Sequence, residues 1–212
     1  MADFSHYRLE YCKTGLSEAD LHQDPLEQFR IWIKQAIDEK LPEPYAMTLA
    51  TVSADGQPSA RIVLLRGVYE QGFQFFTNYE SRKGEELAQN DRAALVFYWA
   101  DLERQVRVEG SIRKTDARTS DDYFQKRPRG SQIAAVISAQ SKTIANREIL
   151  EARVAQYTDE LGEKPVPRPD SWGGYHLIPH SIEFWQGRPS RLHDRLRYRK
   201  VNGKWIIERL CP

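Results

Sequence analysis

A succession of short strand-like segments, separated by strong turn signals, limits what this chain can fold into more than any other feature. From Tyr45 onward the chain contains AMTLATVS, SARIVLLRGVY and FQFFTN, all rich in β-branched or aromatic residues. The turns ADGQ and EQG, each with a glycine, separate these segments. Short turns of this kind join antiparallel neighbours, so we expect an antiparallel meander.

Two further segments, AALVFYWA and RQVRVEGSIRK, extend the predicted sheet. In the second, alternation places Val106, Val108 and Ile112 on one face of the strand and polar residues on the other. Near the end of the chain, Asn202-Gly203 between apolar segments is typical of a type I′ hairpin. Six or more antiparallel strands favour a barrel over a doubly wound sheet, so the predicted fold class is mainly β with flanking helices.

Helices are expected around this sheet. Asp24 and Pro25 are suited to the N-cap and the first position of a helix through DPLEQFRIWIKQAIDEKL. The apolar positions that we expect this helix to bury are Leu26, Phe29, Ile33 and Ile37. A second, short helix follows Ser81 as its N-cap. Later segments that we expect to be helical are TSDDYFQKRP, GSQIAAVIS and NREILEARVAQYTDEL.

Length and charge narrow the class of protein. The 212 residues suit a single domain, 1–212, in which residues 1–23 are polar and irregular. With 31 Lys and Arg against 30 Asp and Glu, the net charge of +1 provides no general attraction for nucleic acid. No secretory signal and no apolar run of about 20 residues is present, so a membrane association is not expected. Cys12 and Cys211 are expected to be unpaired thiols, which favours the cytoplasm.

Several common kinds of active site lack their motifs. The sequence has no phosphate-binding P-loop, no G-x-G-x-x-G and no G-x-S-x-G. His176 and His180 have the spacing of a helical zinc pair, but Pro179 lies between them and makes a helix there unfavourable. We therefore expect no metal site. The motifs in the sequence do not support an NTPase, a zinc enzyme or a serine hydrolase.

Basic residues recur beside hydroxyl or amide side chains in four places. Arg61 and Arg66 bracket the apolar run IVLL, which strand-end solvation alone would explain. Arg82 and Lys83 follow Ser81 at a predicted helix start, where free N–H groups favour a bound phosphate. The alternative for these two residues is that both side chains point to water.

The other two places lie in the second half of the chain. Tyr123, Arg127 and Ser131 recur at steps of four and suggest a second phosphate cradle, or alternatively a capped helix with an ion-paired arginine. In FWQGRPSRLHDR, Trp185 is placed in a strand. The alternation of Arg191, His193 and Arg195 would place all three on one side of an extended segment. Three cationic groups on one face repel each other, so we expect an anionic or electron-rich ligand there. The residues therefore point to one or two ligands with phosphate and aromatic character.

The motifs resemble those of the pyridoxine (pyridoxamine) 5′-phosphate oxidase family. The motifs that carry the resemblance are RIVLLR, FFTNYESRK, LERQVRVEG, YFQKRPRGSQI, SAQS, SWGGY, IEFWQG and RLHDR. They occur in family order across nearly the whole chain. The resemblance implies an antiparallel split β-barrel that binds FMN across the interface of a homodimer.

The resemblance also implies site residues. The FMN-contacting positions fall on Arg61, Ile62, Val63, Leu64, Leu65, Arg66, Phe76, Thr77, Arg82, Lys83, Gln105, Gln140, Ser141, Trp185 and Arg195. Among these, Arg82, Lys83 and Ser141 would hold the flavin phosphate. The substrate positions fall on Arg8, Tyr11, Arg66, Tyr123, Arg127, Ser131, Arg191, Leu192 and His193, with residues 8–11 as a flap. Arg191 and His193 would be the catalytic pair.

The chain departs from the family pattern in three places. Arg66 stands where the family usually has Lys, Leu9 where an Arg is expected, and Phe76 where Tyr is frequent. The first departure bears on substrate-phosphate affinity, because a planar guanidinium does not freely replace an ammonium.

The implied activity is oxidation of pyridoxine or pyridoxamine 5′-phosphate to pyridoxal 5′-phosphate in vitamin B6 metabolism. Oxygen would accept the electrons, with release of hydrogen peroxide and, from the amine, ammonia. Two alternatives stay open at this point: a flavin reductase or nicotinamide-dependent oxidoreductase on the same barrel, and a binding module that stores or carries flavin or pyridoxal phosphate.

Overall fold

The protein is built on a nine-stranded antiparallel sheet with helices around it. The computed structural model describes residues 2–4, 6 and 10–212. The strands are β1 (Ala46–Val52), β2 (Pro58–Leu64), β3 (Gly67–Tyr69), β4 (Gly72–Asn78), β5 (Arg92–Trp99), β6 (Arg104–Lys114), β7 (Trp172–Gln186), β8 (Asp194–Val201) and β9 (Lys204–Arg209). The helices are α1 (Pro25–Asp38), α2 (Arg82–Gln89), α3 (Ala117–Gln125), α4 (Arg129–Ile137) and α5 (Arg147–Leu161).

The longest strand, β7, organises the sheet. Along the main path the order is β2-β1-β5-β6-β7-β4-β3, and β8 and β9 continue from β7. The first part of β7 pairs with β4, from Trp172 to Leu177, and its last part pairs with β8, from Ser181 to Gln186. A bulge in the β6–β7 ladder falls at Glu109 and Gly110, and bulges increase strand bending and twist. The sheet curls into a split barrel with flanking helices, as predicted.

The core lies on one side of this sheet, against α1. Val106 and Val108 of β6 are fully buried, as the alternation predicted. Phe29 of α1 packs against Phe73 and Phe97, with ring centroids 4.8 Å apart in both cases. Burying such large side chains contributes roughly 1.5–3 kcal/mol each, before chain entropy is counted.

Helix starts follow the predicted local signals. The Asp24 carboxylate accepts a hydrogen bond from the Leu26 amide, and Pro25 occupies the first turn of α1. The Ser81 hydroxyl caps α2 by accepting from the Gly84 amide. The predicted buried face of α1 is wrong at Ile37, which is 54% exposed, whereas Trp32 and Ala36 are buried. The face of α1 that packs on the sheet is therefore centred nearer to Ala36 than to Ile37.

The predicted strand SARIVLLRGVY is two strands. The first strand, β2, pairs with β1 and ends at Leu64, and the second, β3, pairs with β4 and begins at Gly67. Leu65 and Arg66 form the corner between them, and their amides donate to Tyr45 O and Gln74 O. At this corner the Arg66 guanidinium lies 5.8 Å from the centroid of the Tyr123 ring. The hairpin prediction at Asn202-Gly203 is confirmed, since both residues have positive φ and join β8 to β9.

No helix within the described ranges is both long and apolar enough to span a bilayer.

Candidate functional site

A cleft of about 280 Å³ opens between the β2–β3 corner, β4, the start of α2 and the α3–α4 connection. Its lining contains ten of the residues that the sequence predicted, together with Asn78 and Trp172. The lining residues are Ile62, Val63, Leu64, Arg66, Phe76, Thr77, Asn78, Lys83, Tyr123, Arg127, Gln140 and Trp172. Residues from sequence positions 62 to 172 thus meet in one place.

One end of the cleft is centred on the Lys83 ammonium. Its Nζ donates to Gln140 Oε1 at 2.8 Å, Thr77 Oγ1 at 3.1 Å and Ser81 Oγ at 3.2 Å. Burial, and to a lesser extent the neighbouring Arg61, lower the pKa of Lys83 to about 8, while Glu86 acts in the opposite direction. An ammonium held in this way gains most from an anion, because an anion offsets both burial and repulsion. Together with the amides at the start of α2, this end is suited to phosphate.

A buried carboxylate, Glu86, holds two arginines beside this end. Its Oε2 accepts from Thr51 Oγ1, from Ser59 Oγ and from Arg61 NH2, the last at 3.2 Å. Its Oε1 accepts from Arg82 Nε at 2.8 Å. Burial raises the pKa of Glu86, but these hydrogen bonds outweigh burial and lower the pKa to about 2. Within the described part of the chain, Arg82 is therefore anchored through Nε, and its two terminal nitrogens have no hydrogen-bond partner there.

The opposite end of the cleft is built from parallel rings and guanidinium groups. Phe76 stacks on Tyr123, with centroids 4.0 Å apart, and on Trp172, with centroids 5.5 Å apart. The Arg127 guanidinium lies 4.7 Å from the Trp172 ring centroid, and Arg66 lies 5.8 Å from that of Tyr123. Such contacts fix the planes of both guanidinium groups.

Arg127 is the residue at this end that most requires a ligand. Its NH1 is buried and has no hydrogen-bond partner among the residues that the structure describes. Burial lowers the pKa of Arg127, and Arg66 lowers it further, with Tyr123 acting in the opposite direction. A buried guanidinium nitrogen without a partner is costly, so an anion entering the cleft would satisfy it.

Tyr123, Arg127 and Ser131, which recur at steps of four, do not lie on one helix. The first of these lies in α3, which ends at Gln125, and Ser131 lies in the first turn of α4. Arg127 lies between the helices because Pro128 cannot continue α3. Tyr123 and Arg127 nevertheless both line the cleft, whereas Ser131 does not.

Several predicted phosphate ligands lie beside the cleft. Ser141, at a φ of 74°, lines an adjoining hollow that shares Gln140 with it. Arg82 lines a separate, shallow hollow together with Asp55 and Gln57. Arg61 makes its hydrogen bonds to Leu49 O and to the side chains around Glu86.

A second group of predicted residues lies at the other end of β7. The Trp185 ring centroid is 4.6 Å from that of His193, and Tyr11 contacts both rings at 5.6 Å. We call Tyr11, Trp185 and His193 the aromatic cluster. His193 Nδ1 accepts from the Arg188 amide at 3.1 Å, so the neutral ring carries its proton on Nε2. Burial lowers the pKa of His193 and Arg191 lowers it further, which favours this neutral form.

Beside the aromatic cluster, Arg195 is held by a buried acid. Its Nε and NH2 donate to the two oxygens of Glu183, at 2.8 and 3.2 Å, and its NH1 donates to Cys211 O. The hydrogen bonds that Arg195 donates to Glu183 raise the pKa of Arg195. Gln105 pairs with Trp185 across the β6–β7 ladder, and Trp185 pairs with Arg195 across the β7–β8 ladder. This places all three on one face of the sheet.

The predicted alternation of Arg191, His193 and Arg195 along an extended segment is wrong. Residues Pro189–Arg191 form a short 3-10 turn in which Ser190 and Arg191 have φ of 54° and 61°. Only Arg195 belongs to a strand. The turn leaves Leu192, which was predicted to contact substrate, 70% exposed. Arg8, also predicted to contact substrate, lies outside the described residues.

The cleft and the aromatic cluster have no lining residue in common. They lie at the two ends of β7, marked by Trp172 and Trp185, so about 40 Å of strand contour separates them. Sequence reasoning missed Asn78, Trp172, Glu86 and Glu183. Trp172 stands in the SWGGY motif, which was a usable signal, whereas the two buried acids have none in a single sequence.

Two models of one protein family match most of the chain. The pyridoxamine 5′-phosphate oxidase family model matches residues 33–159, and the pyridoxine 5′-phosphate oxidase C-terminal dimerisation region matches residues 172–212. The chain is 56% identical over 213 residues to pyridoxine/pyridoxamine 5′-phosphate oxidase from Cupriavidus necator. It is 57% identical over 215 residues to the protein of that name from Burkholderia cenocepacia. In both cases the match covers 100% of each chain.

Solved structures give the same fold. The crystal structure of PhzG from Burkholderia lata, in complex with tetrahydrophenazine-1-carboxylic acid, has a TM-score of 0.87 and 30% identity. It covers 92% of this chain and 95% of its own. A pyridoxamine 5′-phosphate oxidase-related, FMN-binding protein from Nostoc punctiforme has a TM-score of 0.69 at 18% identity, covering 87% and 97%. The matched dimerisation region includes Trp172, Trp185 and His193, so both ends of β7 belong to the part of the chain through which it forms a homodimer. The chain belongs to the pyridoxamine 5′-phosphate oxidase family.

Proposed function

We propose that this protein oxidises pyridoxine 5′-phosphate or pyridoxamine 5′-phosphate to pyridoxal 5′-phosphate, with FMN as cofactor and oxygen as electron acceptor. Hydrogen peroxide is released, together with ammonia when the substrate is the amine. One observation carries the proposal: a single cleft has a cationic centre at Lys83 and another at Arg66 and Arg127. A phosphorylated cofactor and a phosphorylated substrate need two such centres.

The residues at the Lys83 end fit the phosphate of FMN. Lys83, Thr77 and Gln140 already contact one another, and the start of α2 adds backbone N–H groups. Arg82 has free donors beside them, and Ser141 follows Gln140 directly. Residues 61–66 supply strand and corner backbone along the cleft. FMN, when bound, supplies a two-electron acceptor that oxygen can reoxidise.

The residues at the other end fit the phosphate of the substrate. Arg127 supplies the unpartnered NH1, and Arg66, which lies against the Tyr123 ring, supplies a second guanidinium. Ser131 follows Arg127 by four residues and lies in the first turn of α4. Holding the phosphate fixes where the 4′ carbon lies, which matters because transfer reactions need reacting atoms about 3–3.5 Å apart.

The aromatic cluster serves the reactive end of the substrate. We assign the cluster to the site formed with the second copy of the chain, because the two groups lie at opposite ends of β7 in one copy. Trp185, Gln105 and Arg195 would face the flavin ring, while Arg191 and His193 contact the substrate. Because His193 Nδ1 is occupied, its Nε2–H donates to the 4′ oxygen or nitrogen and orients it.

The test is anaerobic mixing of the FMN-loaded protein with pyridoxine 5′-phosphate and, separately, with pyridoxamine 5′-phosphate. We expect the visible flavin absorption to bleach and then to recover when air is admitted. Bleaching by NADH that is faster than bleaching by either phosphate would favour a reductase instead. Tight binding of pyridoxal 5′-phosphate without any bleaching would favour a carrier protein.

A further inference from the structure

The N-terminal strap, residues 10–16, is bound to the body of the protein at its centre by Glu103 and at its end by Asp194. The Cys12 amide donates to Glu103 Oε1 at 3.2 Å, and the Lys13 amide donates to Glu103 Oε2 at 3.0 Å. Both oxygens of one carboxylate therefore bind consecutive N–H groups of the strap. Charge-assisted hydrogen bonds of this kind are stronger than neutral ones.

Glu103 has an unusual backbone for its residue type. It ends the 3-10 turn Ala100–Leu102 with φ 54° and ψ 39°, the left-handed conformation in which Gly or Asn is favoured. The backbone around it is fixed, since Glu103 O accepts from the Gly187 amide at 2.7 Å and from Gln186 Nε2 at 3.2 Å. Residues kept in such conformations often serve a site.

Tyr11 passes over Gly187 at a distance that only glycine permits. A Cβ at position 187 would lie 2.7 Å from Tyr11 Cγ and 3.0 Å from Glu103 Cβ. From this place Tyr11 contacts Trp185 and His193. The Tyr11 hydroxyl also hydrogen-bonds Tyr98 and raises its pKa, and Glu103 adds to that shift. Glu103, Gly187 and Tyr11 are thus parts of one contact surface.

We propose that Glu103 is a positioning residue that latches the strap, so that Tyr11 stays against Trp185 and His193 and ligand is retained there. The proposal rests on the proposed function for the identity of the ligand. The latch can be removed without freeing the whole segment. The Leu16 amide remains bound to Asp194 Oδ2 at 3.0 Å, and Arg209 binds both Asp194 and Glu18.

The first experiment compares Glu103→Gln with Asp101→Asn, an exposed acid of the same turn. Trypsin cleavage after Lys13 is followed by mass spectrometry in the purified, FMN-loaded dimer. We expect cleavage of Glu103→Gln to be about five- to tenfold faster than cleavage of wild type, because the amide loses the charge and one acceptor. Asp101→Asn should match wild type. Equal cleavage in the two variants would overturn the latch.

The second experiment measures the Kd of pyridoxal 5′-phosphate, the Kd of FMN and the Tm of the same proteins. We expect the Kd of pyridoxal 5′-phosphate to rise about fivefold in Glu103→Gln, with the Kd of FMN and the Tm unchanged. Faster cleavage without a change in that Kd would overturn the link to ligand. A fall in Tm accompanied by weaker FMN binding would mean that Glu103 is merely structural.

Two further variants keep the proposal testable. Glu103→Gly relieves the left-handed strain while it removes the latch, so its Tm should not fall although cleavage accelerates. Gly187→Ala should also accelerate cleavage, because it displaces Tyr11 directly. If wild-type protein fails to bind pyridoxal 5′-phosphate at all, the proposed function fails, and the cleavage results alone still decide the latch.

Discussion

The cleft and the aromatic cluster differ in how their charged groups are paired. In the cleft, burial and a neighbouring arginine lower the pKa of the cationic groups, as at Arg127 and Lys83. In the aromatic cluster, the charges beside the rings are already paired, as between Arg195 and Glu183. An anion entering the cleft would therefore be stabilised by its cationic groups, whereas the charged groups beside the aromatic cluster already have partners. Under the proposed function, the aromatic cluster of one copy faces the cleft of the other.

The largest expected effect tests whether each site takes its cleft from one copy and its aromatic cluster from the other. Arg127→Ala and Arg191→Ala homodimers should each lose more than about 100-fold in kcat/KM. A heterodimer of the two, isolated through different tags, should regain about half of wild-type activity, because one of its two sites is intact.

The matched control is a heterodimer of Arg127→Ala with Tyr123→Ala. Both substitutions damage the cleft, so neither site is intact and no activity should return. No recovery in the Arg127→Ala and Arg191→Ala pair would place both groups of residues in the same copy. Recovery in the control would mean that Arg127 and Tyr123 serve different sites.

The next effect concerns the cleft alone. Lys83→Met should raise the Kd of FMN by about 30- to 100-fold, because it removes a buried charge-assisted contact. Lys142→Met, at an exposed lysine paired with Glu85, should change it little. Fluorescence quenching of FMN by apoprotein measures both constants.

The lowered pKa of Lys83 adds a pH signature to that experiment. Below pH 8 the ammonium is charged before FMN arrives, and above pH 8 binding must also take up a proton. The FMN phosphate is already fully ionised above pH 7. Wild-type affinity should therefore fall as pH rises through about 8, while Lys83→Met shows no such slope. A slope that persists in the variant would assign the titration to another group.

A smaller effect concerns Glu86, the acid that orders one side of the cleft. Glu86→Gln should lower the free energy of unfolding by about 2 kcal/mol at pH 7, because charge-assisted hydrogen bonds become neutral ones. The pKa of Glu86 is lowered, so its stabilisation is complete above about pH 4.5 and is lost as pH falls toward about 2. The gap between wild type and variant in urea unfolding should therefore shrink over that range.

The control for Glu86 is Glu85→Gln, which alters the adjacent but exposed acid. It should shift the free energy of unfolding by less than about 0.5 kcal/mol. If the two substitutions cost the same at pH 7, the buried network is not what stabilises this region.

These two regions also differ in how far sequence predicts them. Features set by neighbouring residues were predicted: the Asp24 and Ser81 caps, the Asn202-Gly203 hairpin and the alternation along β6. The meeting of Lys83 with Gln140, 57 residues apart, depends on tertiary folding and has no local signal. It came from the family resemblance alone.

The failures have the same physical origin. The left-handed backbone of Ser190 and Arg191 is disfavoured for both residue types, so alternation predicted a strand there. The corner at Leu65 and Arg66 arises because β2 and β3 pair with different partners. The buried acids Glu86 and Glu183 are recognisable only once the arginines that surround them are placed.

The smallest expected effect refines the substrate end of the cleft, at the position where this chain has Arg and the family usually has Lys. Arg66→Lys keeps the charge but loses the planar contact with Tyr123, 5.8 Å from its ring centroid. The ammonium must then order its flexible, unstacked four-carbon chain on binding phosphate, so KM for pyridoxine 5′-phosphate should rise about threefold with kcat unchanged. Arg66→Met removes the charge as well and should raise KM at least tenfold. Steady-state kinetics of both variants distinguish the two contributions. A KM for Arg66→Lys equal to that of Arg66→Met would mean that phosphate is held by the guanidinium geometry rather than by charge, and a KM equal to wild type would mean that the contact with Tyr123 contributes nothing to binding.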